Sequence, residues 1–227
     1  LNINTDFLKA KVGLDTPTYS KPMREGIEQK RLDFGTRNAN FQNYGLEAIH
    51  ELAIRIENYD WVIINEQFHT PLLNQATLEF LQKFTNEKAI ADLRSLGAYA
   101  NEVILKVNET EFQKIINSDS TIESAVKSWV NKRGKPVLLT LGEQGMIYAS
   151  PSEFHWEKAI PAQGPIDTVG AGDMVVAAFS AARAAGASIE EACALASLAV
   201  HVTIHKIGET GSAQANEIIQ SYHATRN

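Results

Sequence analysis

Residues 166–185 read IDTVGAGDMVVAAFSAARAA, and a change of texture inside that stretch decides the reading of the whole chain. An extended arm ends at Val169, and from Ala171 onward small and apolar residues continue in the manner of a helix. Between them, two glycines around one alanine turn the backbone without Cβ clashes. This arrangement is expected to leave the N–H groups of Gly170, Ala171, Gly172 and Asp173 free at a helix N-terminus. Such an end attracts anions, and a phosphoryl group in transfer spreads its charge over oxygens that converging amides and a helix dipole stabilise. A carboxylate beside that anion hole accepts the proton of an attacking hydroxyl, which makes Asp173 the candidate base. The plainer alternative is that Asp173 only caps a helix after a Gly-rich turn. Two other phosphate-binding patterns are excluded: GxGxxG fails at Val175, and GxxxxGK[ST] occurs nowhere.

Downstream, the spacing predicts helices over 171–185, over 189 to about 205 behind the capping box Ser188–Glu191, and over roughly 213–224. Upstream, Gly145 to Ile160 reads as two antiparallel strands. Before that, helical and strand-like segments alternate. A helix over 44–58 feeds the run WVII at 61–64. A second helix starts at Thr70-Pro71 and ends near Phe84, before KAIADL at 88–93. VILKV at 103–107 is followed by a helix from Asn108, then by one announced by the capping-box spacing Ser120–Glu123, and VLLTL closes the series at 137–141. That order implies an α/β fold with a mostly parallel sheet covered by helices on both faces. Thr16 to Asp33, with Glu25-Gly26 at its centre, reads as a polar β-hairpin. Residues 1–38 are accordingly expected to form a partial lid or hairpin region, and 39–227 a nucleotide-binding α/β domain.

With 227 residues, 44% of them hydrophobic, the chain can build one substantial core. A net charge of −6 argues against nucleic acid as a partner and favours small molecules. Cys193, the single cysteine, is expected in the core and rules out an intramolecular disulfide, in keeping with a reducing compartment. No apolar run approaches the ~20 residues needed to cross a bilayer, so a soluble, cytoplasmic chain is expected. The chain opens at Leu1 in a strand-rich stretch, and an upstream portion is expected.

Residues 166–200 resemble the C-terminal signature of the ribokinase/PfkB carbohydrate kinases. VILKVNETEF at 103–112 is similar to the family's N-x-x-E element in Asn108 and Glu111, and TLGEQG at 140–145 to its nucleotide-phosphate loop, all in the family's order. The resemblance implies an ATP-dependent kinase acting on a hydroxyl of a sugar or sugar phosphate. Gly172 and Asp173 would contact the transferred phosphoryl group and the hydroxyl, and Thr140, Gly142 and Gly145 would line the ATP phosphates. Asn108 would approach the nucleotide, and Glu111 would organise hydrated Mg²⁺. Asp167 and the Val169 carbonyl match positions that hold a monovalent cation such as K⁺, and Ser197 stands where many members carry an Asn near the adenine. Residues 17–34, LKVNETEF and HKIGETGS are similar to the branch that phosphorylates heptose 7-phosphate at its anomeric hydroxyl, and lids in similar kinases imply a homodimer.

Each element also has an ordinary structural reading: N-x-x-E as a capping box, TLGEQG as a hairpin turn, Asp167 as the end of a strand. The family's Gly-Gly-x-x-Asn sugar element has no match, since no GG pair occurs. A non-catalytic nucleotide-binding or regulatory pseudokinase is therefore the alternative. His201 and His205 lie one turn apart without a third zinc ligand, and helix packing near the nucleotide is expected of them. Lys21, Arg24, Arg31 and Arg94 read either as contacts to a sugar phosphate or as solvated charge.

Overall fold

Glu25 adopts a positive φ of 52° and folds the polar segment back on itself, as the sequence suggests. In this hairpin β1 (Thr18–Ser20) pairs antiparallel with β4 (Leu32–Phe34), and β2 (Met23–Arg24) with β3 (Ile27–Glu28). Met23, Ile27, Leu32 and Phe34 remain exposed on it. The structure, a computed structural model, describes residues 4–5, 12, 15–25, 27–35, 48–67, 73–83, 88–116, 120–209 and 211–225.

The apolar runs become neighbours in one sheet of order β10-β9-β8-β7-β6-β5. Strands β5 (Val62–Glu66), β6 (Ala89–Leu93), β7 (Ile104–Asn108) and β8 (Val137–Thr140) are parallel. β9 (Met146–Ala149) and β10 (Phe154–Glu157) continue the sheet antiparallel. Helices α1 (Gln75–Gln82), α2 (Glu109–Ile115) and α3 (Ile122–Arg133) precede β8, and α4 (Ala171–Ala184), α5 (Ile189–Ile204) and α6 (Ala215–Thr225) follow β10.

Successive side chains of a strand point to opposite faces, and the two cores follow that alternation residue by residue. Ala89, Ala91, Leu105, Val107, Val137 and Leu139 pack with Leu78, Phe112, Val126 and Val130 of α1 to α3. Ile90, Ile104 and Leu138 pack with Val175, Val176 and Phe179 of α4 and with Ala192, Cys193 and Ala196 of α5. Burial on both faces explains why the strands read as continuous apolar runs. Cys193 lies in the core as expected, where burial pushes its thiol up to about 12. No described helix is long and apolar enough to cross a membrane.

One helix end and two helix starts differ from the sequence reading. The helix expected over 44–58 is described from residue 48, ends at 53 and gives way to a 3₁₀ turn at Ile56–Asn58, while residues 44–47 lie outside the described ones. Thr70-Pro71 also lies outside them, and α1 starts later, on Asn74. There the Asn74 side chain accepts from the Thr77 N–H and the Thr77 hydroxyl accepts from the Asn74 N–H, so both ends of the cap are satisfied. α3 is capped by Thr121 rather than Ser120, its side chain accepting from the Ser124 N–H. Glu123 is thereby released to pair with Lys127 one turn on, at 2.6 Å.

Candidate active site

Ligands of open α/β sheets bind beyond the carboxyl ends of the parallel strands. On the α4-facing side those ends turn from apolar to polar. Asp92 lies beside Lys106 in the sheet register, Lys106 beside Leu138, and Asn108 beside Thr140. The Lys106 ammonium meets the Asp92 carboxylate at 2.8 Å with both side chains 8% exposed. Sequence reasoning passed over Lys106. The available signal was a charge inside the apolar run VILKV, since a lysine there needs an acidic partner on a neighbouring strand.

Asn108 caps α2 and Glu111 answers it: the Asn108 side chain accepts from the Glu111 N–H, and the Glu111 carboxylate accepts from the Asn108 N–H, each at 2.9 Å. The capping box and the placement at the strand ends are thus one arrangement, which locks both side chains. The α4 N-terminus faces them. Gly170 is its N-cap at φ 82°, with no side-chain cap. One expectation is corrected here, because the Ala171 N–H donates to the Thr168 carbonyl at 3.1 Å and is not free. The tight turn at 168–171 consumes that donor. Gly172 and Asp173 keep N–H groups with no partner among the described residues, and Asp173 is exposed. A Cβ on Gly172 would stand 3.2 Å from the Lys106 ammonium, so this glycine lets the helix end close on the charged strand ends.

Two cavities meet at Gly172. The smaller, about 190 Å³, is lined by Gln67, Asp92, Arg94, Lys106, Asn108, Glu111, Gly172 and Asp173. Arg94 is steered by Gln67, whose side-chain oxygen accepts from Nε at 3.0 Å, and the hairpin's Tyr19 hydroxyl donates to the Gln67 carbonyl at 2.9 Å. Glu66, buried, accepts from the N–H and hydroxyl of Ser95 and so pins the turn that carries Arg94. The larger cavity, about 670 Å³, is lined by Thr140, Gly142, Gly145 and Gly172 and by the apolar Met146, Ile160, Val175, Val200 and Ile204. Ala171, Ser197 and His201 also line it. Gly145 has φ 91°, and any Cβ there would run into the Glu157–Ala159 backbone, so the 140–145 loop is drawn against β10.

The structure therefore groups Asn108, Glu111, Gly172 and Asp173 around one cavity and Thr140, Gly142, Gly145, Ala171, Gly172 and Ser197 around the other. Asp167, Val169 and Gly170 line neither. Asp167 accepts from the Val169 N–H, the Gly208 N–H and the Lys21 ammonium, and these contacts, led by the Val169 N–H, hold its carboxyl below the usual carboxylate range. His201 lies against His205, ring centroids 4.8 Å apart, with one ring nitrogen 3.1 Å from the Ser221 hydroxyl. Burial first, then the neighbouring imidazole, holds His201 below its ordinary value. No group of three His, Cys, Asp or Glu suited to a metal occurs among the described residues.

A family model described as pfkB family carbohydrate kinase matches residues 1–216. The chain belongs to that family. Among curated proteins it is 27% identical over 202 residues to the bifunctional protein HldE of Coxiella burnetii, a match covering 86% of this chain and 42% of the relative. With HldE of Vibrio vulnificus it shares 30% over 233 residues, covering 100% of this chain and 48% of the relative. The chain thus spans about half the length of the curated relatives it matches. Among solved structures, ribokinase from Thermotoga maritima superposes with a TM-score of 0.71 at 18% identity, over 93% of this chain and 71% of that one. Phosphofructokinase-2 from Escherichia coli in complex with potassium gives 0.65 at 21%, over 80% and 63%. The fold is ribokinase-like, as its sequence implies.

Proposed function

We propose that the chain carries the catalytic centre of an ATP-dependent kinase that transfers the γ-phosphoryl group to a hydroxyl of a sugar or sugar phosphate. The observation that carries this reading is the shared wall at Gly172: a large, mostly apolar cavity whose lining includes Thr140, Gly142 and Gly145 meets a small charged one at a helix N-terminus. An adenine nucleotide suits the first, its base against Met146, Val175 and Val200 and its phosphates toward Thr140, Gly142 and Gly145. The γ-phosphoryl group would then reach the Gly172 and Asp173 amides beside the cavity that receives the acceptor.

In this mechanism Asp173 takes the proton of the acceptor hydroxyl as its oxygen attacks the γ-phosphorus. The new O–P bond forms as the bond to the departing ADP breaks. Gly172 and Asp173 amides, with the α4 dipole, hold the charge that develops on the phosphoryl oxygens. Lys106, 2.8 Å from Asp92, adds positive charge to the acceptor side. Asn108, Glu111 and Asp173 line the smaller cavity with oxygen donors, and Glu111 and Asp173 would hold Mg²⁺ through one or two carboxylates and its waters. When bound, that ion neutralises charge on the β- and γ-phosphates.

The acceptor we favour is a phosphate-bearing sugar of the heptose 7-phosphate kind. Arg94 on the wall of the acceptor cavity supports it, as does the similarity to HldE proteins. An assay of ATP consumption against a panel of sugars and sugar phosphates, run on wild type and Asp173→Asn, tests the reading. Turnover confined to the wild type supports it, turnover surviving in the variant removes Asp173 from the mechanism, and nucleotide binding without turnover on any acceptor leaves a non-catalytic module. Exposed Met23, Ile27, Leu32 and Phe34 on the hairpin favour homodimerisation through that face. Light scattering before and after deletion of Thr16 to Asp33 checks it, and an unchanged oligomer argues against it.

A further inference from the structure

Asp167 opens the 167–173 loop, and its carboxylate is met entirely by donors of the chain. The Val169 N–H reaches Oδ1 and the Gly208 N–H reaches Oδ2, each at 3.1 Å, while the Lys21 ammonium lies 3.3 Å from both oxygens. The Asp167 N–H in turn donates to the Ile204 carbonyl at 2.8 Å, which ties the loop to the end of α5. The carboxylate is 12% exposed and the lysine side chain 31%, so the acid is enclosed and the lysine closes over it from outside. Lys21 comes from the hairpin, between β1 and β2, 146 positions away in the chain.

A monovalent cation at this carboxylate needs several oxygen ligands in place of its hydration shell. Here the ammonium already stands equidistant from both oxygens, each of which also accepts a backbone N–H. A second positive charge at that point meets like-charge repulsion. The residues present do not fit a resident cation. A lysine ammonium, compact and bearing three donors, carries the same unit charge and can serve both oxygens at once.

We propose that Lys21 takes the place of a monovalent cation in this protein, compensating Asp167 from the hairpin so that nucleotide binding requires no added monovalent cation. The inference rests on the reading of residues 167–173 as the phosphate-transfer loop. An uncompensated carboxylate at the start of that loop opposes the arrival of anionic phosphates, and through Val169 it also orients the turn that presents the Gly172 and Asp173 amides. Lys21 is a positioning residue, since it lines neither cavity.

The test is the MgADP affinity of the protein by isothermal titration in potassium, ammonium and choline chloride at equal ionic strength. Wild type and Lys21→Arg are expected to bind alike in all three salts. Lys21→Ala is expected to bind about tenfold more weakly in choline chloride, a coupling of ordinary size, and to recover in potassium or ammonium chloride. Potassium should also raise the thermal midpoint of Lys21→Ala while leaving that of wild type unchanged. Loss of affinity by wild type in choline chloride overturns the proposal, as does a Lys21→Ala protein that is unaffected, or weakened equally in all three salts. A wild type that binds no MgADP in any salt overturns the nucleotide reading and this inference with it.

Discussion

The two cavities that meet at Gly172 are built in opposite ways. The larger draws its walls from residues 140–204, one continuous stretch in which the 140–145 loop, α4 and α5 follow one another, and its lining is mostly apolar or glycine. The smaller collects Gln67, Asp92, Arg94, Lys106, Asn108, Glu111 and Asp173 from the ends of β5, β6 and β7 and from α2 and α4, and its lining is charged. In the proposed mechanism the contrast separates binding from chemistry. An apolar pocket tolerates small changes in shape, whereas a charged one works only when each charge has its partner at hydrogen-bond distance.

Changes in the charged cavity should accordingly cost more than changes around the apolar one. The largest expected effect is that of Asp173→Asn, which lowers turnover by about 10²–10⁴-fold, the range of a lost general base, while MgATP affinity by titration stays near wild type. Lys106→Met comes next. It leaves Asp92 buried without its partner and should cost about 3–5 kcal/mol in denaturant unfolding. Adding Asp92→Leu should restore most of that stability, because a buried ion pair replaced by apolar side chains is often neutral. Turnover should stay low in the double variant. If turnover returned with stability, Lys106 would be a packing residue only.

The smallest effect belongs to the apolar side and runs with pH. His201 is held below its ordinary value by burial, so the folded protein binds fewer protons there than the unfolded chain does. The stability this contributes is complete above the ordinary imidazole value of about 6.5 and is lost as pH falls from there through the lowered folded value. Thermal midpoints measured from pH 7.5 downward should show a shallow decline that His201→Gln flattens. An equal slope in the variant would assign the decline to other groups.

Much of this was legible in the sequence for a physical reason. DTVGAGD, TLGEQG and N-x-x-E are local devices: a turn that needs glycine, a tight loop and a cap. Each is specified by residues within a few positions of one another, and each is found where it was expected. Alternating apolar runs and amphipathic stretches likewise set the order of strands and helices, because burial on both faces leaves a parallel strand no other composition. The cap expected at Ser120 falls one residue later, on Thr121, because its side chain is the one that accepts from the Ser124 N–H.

Whatever depends on strand register or on the docking of the hairpin was not legible. Lys106 and Asp92 become partners only because β6 and β7 align in parallel with these residues side by side, and nothing local in either segment encodes that offset. The Ala171 N–H was removed from the anion hole by the Thr168 carbonyl, a detail of turn geometry that composition does not carry. By itself, then, the sequence determined the α/β alternation, the family and the glycine-built end of α4, since these rest on interactions between near neighbours. The tertiary structure alone decided which charges face each other across the strand ends and that Lys21 reaches Asp167, because electrostatic pairing depends on distance in space, which chain order leaves open.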